Sequence, residues 1–131
     1  IHSENDEYFC HEVTEAISHA TVTTAHDLDA AAIITVTKGG TTARRLSKFR
    51  PECPIIALTT SELTARQMNM SWGLVPGIVE EESDTDKLIE VAIKKSVNMG
   101  LLKHGDLVVV TAGVPLGVSG NTNMMRVETV D

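Results

Sequence analysis

The sequence predicts an α/β domain wound largely with parallel strands, and three observations carry that prediction. Short continuous apolar runs, Ala31 to Val36, Pro54 to Leu58 and Leu107 to Thr111, have the length and β-branched content of strands covered on both faces. Between them the apolar positions recur at helical spacing, so strand and helix alternate along the chain. Two glycine-rich stretches, Thr37 to Thr42 and Gly113 to Asn123, directly follow predicted strands. In open α/β sheets ligands bind at that end of the strands.

From Asp6 to about Ala25, Phe9, Val13, Ala16, Ile17 and Ala20 give a long opening helix. The first strand then runs into Thr37-Lys38-Gly39-Gly40-Thr41-Thr42, and a helix follows over Ala43 to Phe49, stopped by Pro51. After the Pro54 to Leu58 strand, Ser61 is placed to cap a helix over Glu62 to Met70. Trp72 reads as a packing anchor, and Gly77-Ile78-Val79 is a short apolar piece. The run Glu80-Glu81-Glu82 reads as a solvated loop, and Ser83 with Asp86 as a capping box for the next helix. That helix presents Leu88, Ile89, Ala92, Ile93 and Val97 on one face and ends at Gly100. The Leu107 to Thr111 strand, the second glycine loop and an edge strand over Met124 to Val130 complete the chain.

At 131 residues one domain with one core is expected. A net charge of -7 with only 11 Lys and Arg argues against a nucleic-acid or acidic-membrane partner, since both need a basic field. Cys10 and Cys53 show neither zinc nor disulfide spacing, and no apolar run approaches the roughly 18 residues of a membrane span. These features predict a reducing, cytoplasmic setting. The histidines lack the four-residue spacing of a helical metal site. The chain opens at Ile1 without Met or a secretory pattern, which reads as a fragment or processed chain.

The chemistry best supported by the residues is anion capture. Glycines let backbone amides approach a ligand, Thr37, Thr41 and Thr42 offer hydroxyls, and a helix N-terminus contributes N–H groups and positive dipole. The same residues also suit a plain connection with Thr41 or Thr42 as N-cap. Neither loop matches GxxxxGK[ST] or GxGxxG, and Ser119 misses the GxSxG elbow by one position. No nucleophile, base and orienter stand together, so an active site within this chain is not predicted.

Several motifs in register resemble one family. Thr37-Lys38-Gly39-Gly40-Thr41-Thr42-Ala43-Arg44, Arg50-Pro51-Glu52-Cys53-Pro54-Ile55-Ile56-Ala57-Leu58-Thr59, Thr64-Ala65-Arg66-Gln67, Trp72-Gly73-Leu74-Val75-Pro76 and the stretch from Lys103 to Pro115 are similar to the C-terminal domain of pyruvate kinase. The likeness runs from about Ala25 to the end. It implies a three-layer α/β/α fold with a five-stranded mixed sheet in order 3-2-1-4-5, the last strand antiparallel. It also implies an effector phosphate held by Thr37, Lys38, Gly39, Gly40, Thr41 and Thr42. Gly117, Val118, Ser119, Gly120, Asn121 and Thr122 would form the covering loop.

The family's catalytic residues and its Mg2+ and K+ sites lie in a barrel and inserted domain that this chain does not carry, so no cofactor is expected here. Implied partners are a sugar phosphate or nucleotide monophosphate effector, the parent chain's catalytic barrel and further copies of the subunit. Where animal and fungal members use aromatic and arginine residues for a second phosphate, this chain has Glu80-Glu81-Glu82 and Val114-Pro115-Leu116. That argues against fructose 1,6-bisphosphate and leaves a monophosphate effector or none. The rival reading is a purely structural, assembly domain, and a free-standing phosphate-ester enzyme is a third.

Overall fold

The computed structural model describes residues 2–37, 39–69, 73–82, 84–112 and 124–130, apart from the side chains of 2–12 and 41. Their elements run α1 (His2–Asp27), β1 (Ala32–Val36), α2 (Thr41–Lys48), β2 (Ile55–Thr59), α3 (Glu62–Met68), β3 (Leu74–Ile78), α4 (Thr85–Asn98), β4 (Leu107–Ala112) and β5 (Met124–Thr129). The five strands form one sheet in the order β3-β2-β1-β4-β5. All neighbours are parallel except β4 and β5, which pair antiparallel from Leu107 opposite Thr129 to Ala112 opposite Met124. The predicted α/β class, strand order and antiparallel last strand are all found.

The continuous apolar runs become strands because both faces of the sheet are covered. Ala32 and Ile34 of β1, Ile56 and Leu58 of β2, and Val108 and Val110 of β4 pack with Ile89 and Ala92 of α4. The alternate residues Ile33, Ile55, Ala57 and Val109 pack with Ala25 of α1, Ala43 and Leu46 of α2, and Met68 of α3. The helix leaving β1 and the helix entering β4 thus lie on opposite faces. Right-handed crossovers require this when the order of strands reverses, and the reversal falls between β1 and β4.

Several local expectations are corrected. The opening helix is longer than expected and turns a different face inward: Thr14, Ser18, Thr21 and Ala25 are buried, while Val13, Ile17 and Ala20 are only half-buried and Ala16 is exposed. Hydroxyl residues can fill that seam because two of them bond back to their own helix, Ser18 Oγ to Thr14 O at 2.8 Å and Thr21 Oγ1 to Ile17 O at 2.6 Å. The cap of α4 is Asp84, whose carboxylate accepts from the N–H groups of Asp86 and Lys87. Ser83 itself lies outside the described residues. On α4 the buried face carries Ser96, and Val97 is 37% exposed. Ser96 is accommodated by donating to Ala92 O at 2.9 Å.

Other signals are found where they were placed. Ser61 caps α3 by accepting from Thr64 N. Gly100, at φ +79°, closes α4: its N–H donates to Val97 O while Leu101 N donates to Ser96 O, the paired bonds of a Schellman motif. The apolar piece around residue 77 belongs to β3, a sheet edge, where Pro76 leaves no ladder donor unmet. Trp72 lies outside the described residues.

Candidate functional site

Between the end of β1 and the start of α2 the chain has only residues 37–40 in which to reverse. Thr37 anchors the turn on both sides. Its N–H donates to Leu58 O of β2 at 2.9 Å, and its Oγ1 accepts from Gly40 N at 2.9 Å. Gly40 has φ +82° and ψ -1°, a left-handed conformation that a side chain disfavours. A Cβ at Gly40 would stand 3.0 Å from Arg44 Nη1, 3.2 Å from Met68 Cγ and 3.3 Å from Thr64 Cγ2. Backbone shape and close packing therefore both require glycine.

The N-cap of α2 is Gly40, which has no side chain with which to cap the first turn. The alternative in which Thr41 or Thr42 serves as N-cap is corrected, because both lie inside the helix. No acidic residue occupies the first turn, so nothing there offsets the positive end of the dipole. Arg44 instead curls back over the turn, with Nη2 donating to Gly39 O at 3.0 Å. The result is a cluster of donors and positive charge, with the chemistry of an oxyanion cradle.

Thr37, Gly39, Gly40 and Thr42 are thus brought together at the carboxyl end of β1, but not as equal contributors. Thr42 is 2% exposed and points into the packed interior, whereas Thr37 is half-buried at the mouth. Lys38, the Thr41 side chain and the covering loop, Gly117, Val118, Ser119, Gly120, Asn121 and Thr122, lie outside the described residues. Arg44 was missed as a site residue. Its signal is its position in the first turn of α2, from which a long side chain can reach back to the preceding loop.

Two other concavities lack comparable chemistry. At the amino end of the strands, a recess of about 210 Å³ is lined by His26, Asp29, Glu52 and Cys53 among others. Burial, reinforced by the carboxylates of Glu52 and Asp29 against one opposing backbone hydrogen bond, pushes the Cys53 thiol above its ordinary value, so it is held protonated at neutral pH. A cleft of about 490 Å³ lies between α4 and β5. Its rim is tied by Arg126, whose Nη1 meets Asp86 Oδ1 at 2.7 Å and whose Nε meets Glu128 Oε1 at 2.9 Å. Among the described residues, no three His, Cys, Asp or Glu groups are placed to hold a metal, and no helix is long and apolar enough to cross a membrane.

Comparison with known proteins points to a single family. The family described as "Pyruvate kinase, alpha/beta domain" matches residues 15–128. A pyruvate kinase of Clostridium acetobutylicum is 50% identical over 118 residues, covering 90% of this chain and 25% of that protein. One from Geobacillus stearothermophilus is 43% identical over 118 residues, covering 90% of this chain and 20% of its own length. One from Lactobacillus delbrueckii subsp. bulgaricus is 41% identical over 125 residues, covering 95% and 21%. The chain spans between a fifth and a quarter of the length of these relatives.

Proposed function

Because this chain belongs to the family of the pyruvate kinase alpha/beta domain, as its C-terminal domain, we propose that it is the regulatory and assembly module of a cytoplasmic pyruvate kinase. The parent enzyme would transfer phosphate from phosphoenolpyruvate to ADP in glycolysis, with Mg2+ and K+ in its catalytic portion. This module would bind a phosphorylated effector, a sugar phosphate or a nucleotide monophosphate, and pack against the barrel and other subunits.

The observation that carries the reading is the start of α2. Its N-cap is a glycine that offers no side-chain cap, its first turn carries no acidic residue, and the Arg44 guanidinium is drawn onto the Gly39 carbonyl. An ordinary connection would cap those amides with a hydroxyl or carboxylate, as Ser61 and Asp84 do at α3 and α4. A phosphate on the loop would accept from amides at the helix start and from Thr37, Lys38 and Arg44. The closing loop at 117–122 would cover it. Regulation then follows only if the effector binds one subunit arrangement better than another.

Calorimetry with fructose 1,6-bisphosphate, ribose 5-phosphate and AMP tests the reading, repeated with Lys38→Ala and Arg44→Gln after their melting is checked. A monophosphate should give heat that both substitutions reduce. Silence from every ligand would leave the purely structural reading, in which the module only supplies subunit contacts.

A further inference from the structure

We propose that Thr35 and Thr111, together with Ser18 and Thr21 of α1, hold one internal water molecule between the sheet and α1, at the foot of the two glycine loops. The inference does not depend on effector binding. Thr35 of β1 and Thr111 of β4 are direct partners in the parallel register, and both are 0% exposed. Their Oγ1 atoms have no hydrogen-bond partner among the described residues. A buried hydroxyl without a partner is costly, and valine would fill the same shape without that cost.

The surroundings are built from small side chains, several of them hydroxyls. Thr35 and Thr111 have the same parity as Ile33 and Val109, so they face the layer of α1 and α2. Across the sheet, the row Ile55, Ile33, Val109 gives way one pleat higher to Ala57, Thr35, Thr111, and the floor drops. Opposite it, α1 presents only small side chains, Thr14, Ser18, Thr21 and Ala25. Small residues on both sides are what a water at this level requires.

The level itself follows from simple rises. Ala25 belongs to the same buried cluster as Ile33, and α1 turns back directly into β1. Climbing from Ile33 to Thr35 is about 6.6 Å of strand, which matches about four residues of helix and reaches Thr21, with Ser18 about 4.5 Å further along the same buried face. Their hydroxyl hydrogens are already given to Ile17 O and Thr14 O. Their oxygens can still accept. A water taking hydrogen bonds from Thr35 and Thr111 and giving two to Ser18 and Thr21 uses each remaining group once, within the usual two to four partners of an internal water. It would tie α1 to the two strands that feed both loops.

Thr35→Val, Thr111→Val and the double variant decide the matter through melting temperature and a crystal structure at about 1.5 Å. With the shared water, each single substitution lowers the Tm by about 3–7 °C, and the double variant falls little further because both lose the same water. The map then shows one peak within hydrogen-bond distance of both hydroxyls. A Tm that rises in each single variant and rises additively in the double overturns the proposal, as does a structure with no peak there. A peak replaced by rubidium on soaking, marking a cation, overturns it too. If a valine variant does not fold, Thr35→Ser retains the hydroxyl and must retain the peak.

Discussion

Replacing Gly40 by alanine adds one methyl group where both backbone and neighbours oppose it. The φ of +82° costs a non-glycine residue about 1–2 kcal/mol. The new Cβ would also sit 3.0 Å from Arg44 Nη1, 3.2 Å from Met68 Cγ and 3.3 Å from Thr64 Cγ2. Because it meets three neighbours at once, that crowding adds about 1 kcal/mol. At about 2.1 cal/mol/K per residue, 131 residues unfold with an entropy of about 0.28 kcal/mol/K, so 1 kcal/mol moves the Tm by about 3.6 °C. Gly40→Ala should therefore melt about 7–11 °C below wild type in a calorimetric scan. Gly105 provides the internal control, since it has φ +90° with nothing within 4 Å of a Cβ. There strain acts alone, for a loss of about 4–7 °C. If Gly40→Ala melts no lower than Gly105→Ala, the claim that the turn is packed shut around Arg44 and Met68 is wrong.

Further outcomes follow from other contacts. Gly77→Ala would place a Cβ 2.8 Å from Leu58 Cδ2 and 3.1 Å from Met99 Sδ. It should cost about 1–2 kcal/mol in urea unfolding and be partly relieved in combination with Met99→Ala, a coupling that additive losses would contradict. Asp84→Ala removes the cap of α4 and should lower stability by about 1 kcal/mol, measured in the same way. Cys53, whose thiol is raised from the ordinary 9.0, should react slowly with iodoacetamide at pH 7. Its folded form keeps a proton that the unfolded chain releases, so its contribution to stability is full below pH 9 and declines as pH rises beyond it. Fast labelling of the folded chain at neutral pH would contradict that environment.

The sheet could be read from the sequence because its strands are buried on both faces and therefore appear as unbroken apolar runs, Ile33 to Val36 above all. The order and direction of strands came from the family likeness, since periodicity alone places no strand beside another. β3 was legible only as an apolar piece because Pro76 and Gly77 disfavour a strand unless it lies at an edge. The inward face of α1 was misread, and that of α4 only at Val97: burial was assigned to aliphatic residues, whereas Thr14, Ser18, Thr21 and Ser96 are buried, alongside Leu88, Ile89 and Ala92 as expected. Hydroxyls that bond back to the helix backbone carry little burial cost, and hydropathy patterns do not register that. At the site, the glycines and Thr37 were legible from turn chemistry. The buried place of Thr42 and the reach of Arg44 depend on how α2 sits on the sheet, which no local pattern encodes.

The proposed effector site is tested most directly by amide chemical shifts on titration with ribose 5-phosphate and, separately, AMP. The account predicts saturable shifts at Gly39, Gly40 and Thr42, abolished or much weakened in Arg44→Gln. Amides of the α2 start that stay fixed while either ligand saturates, or shifts confined to the α4–β5 cleft, would contradict it.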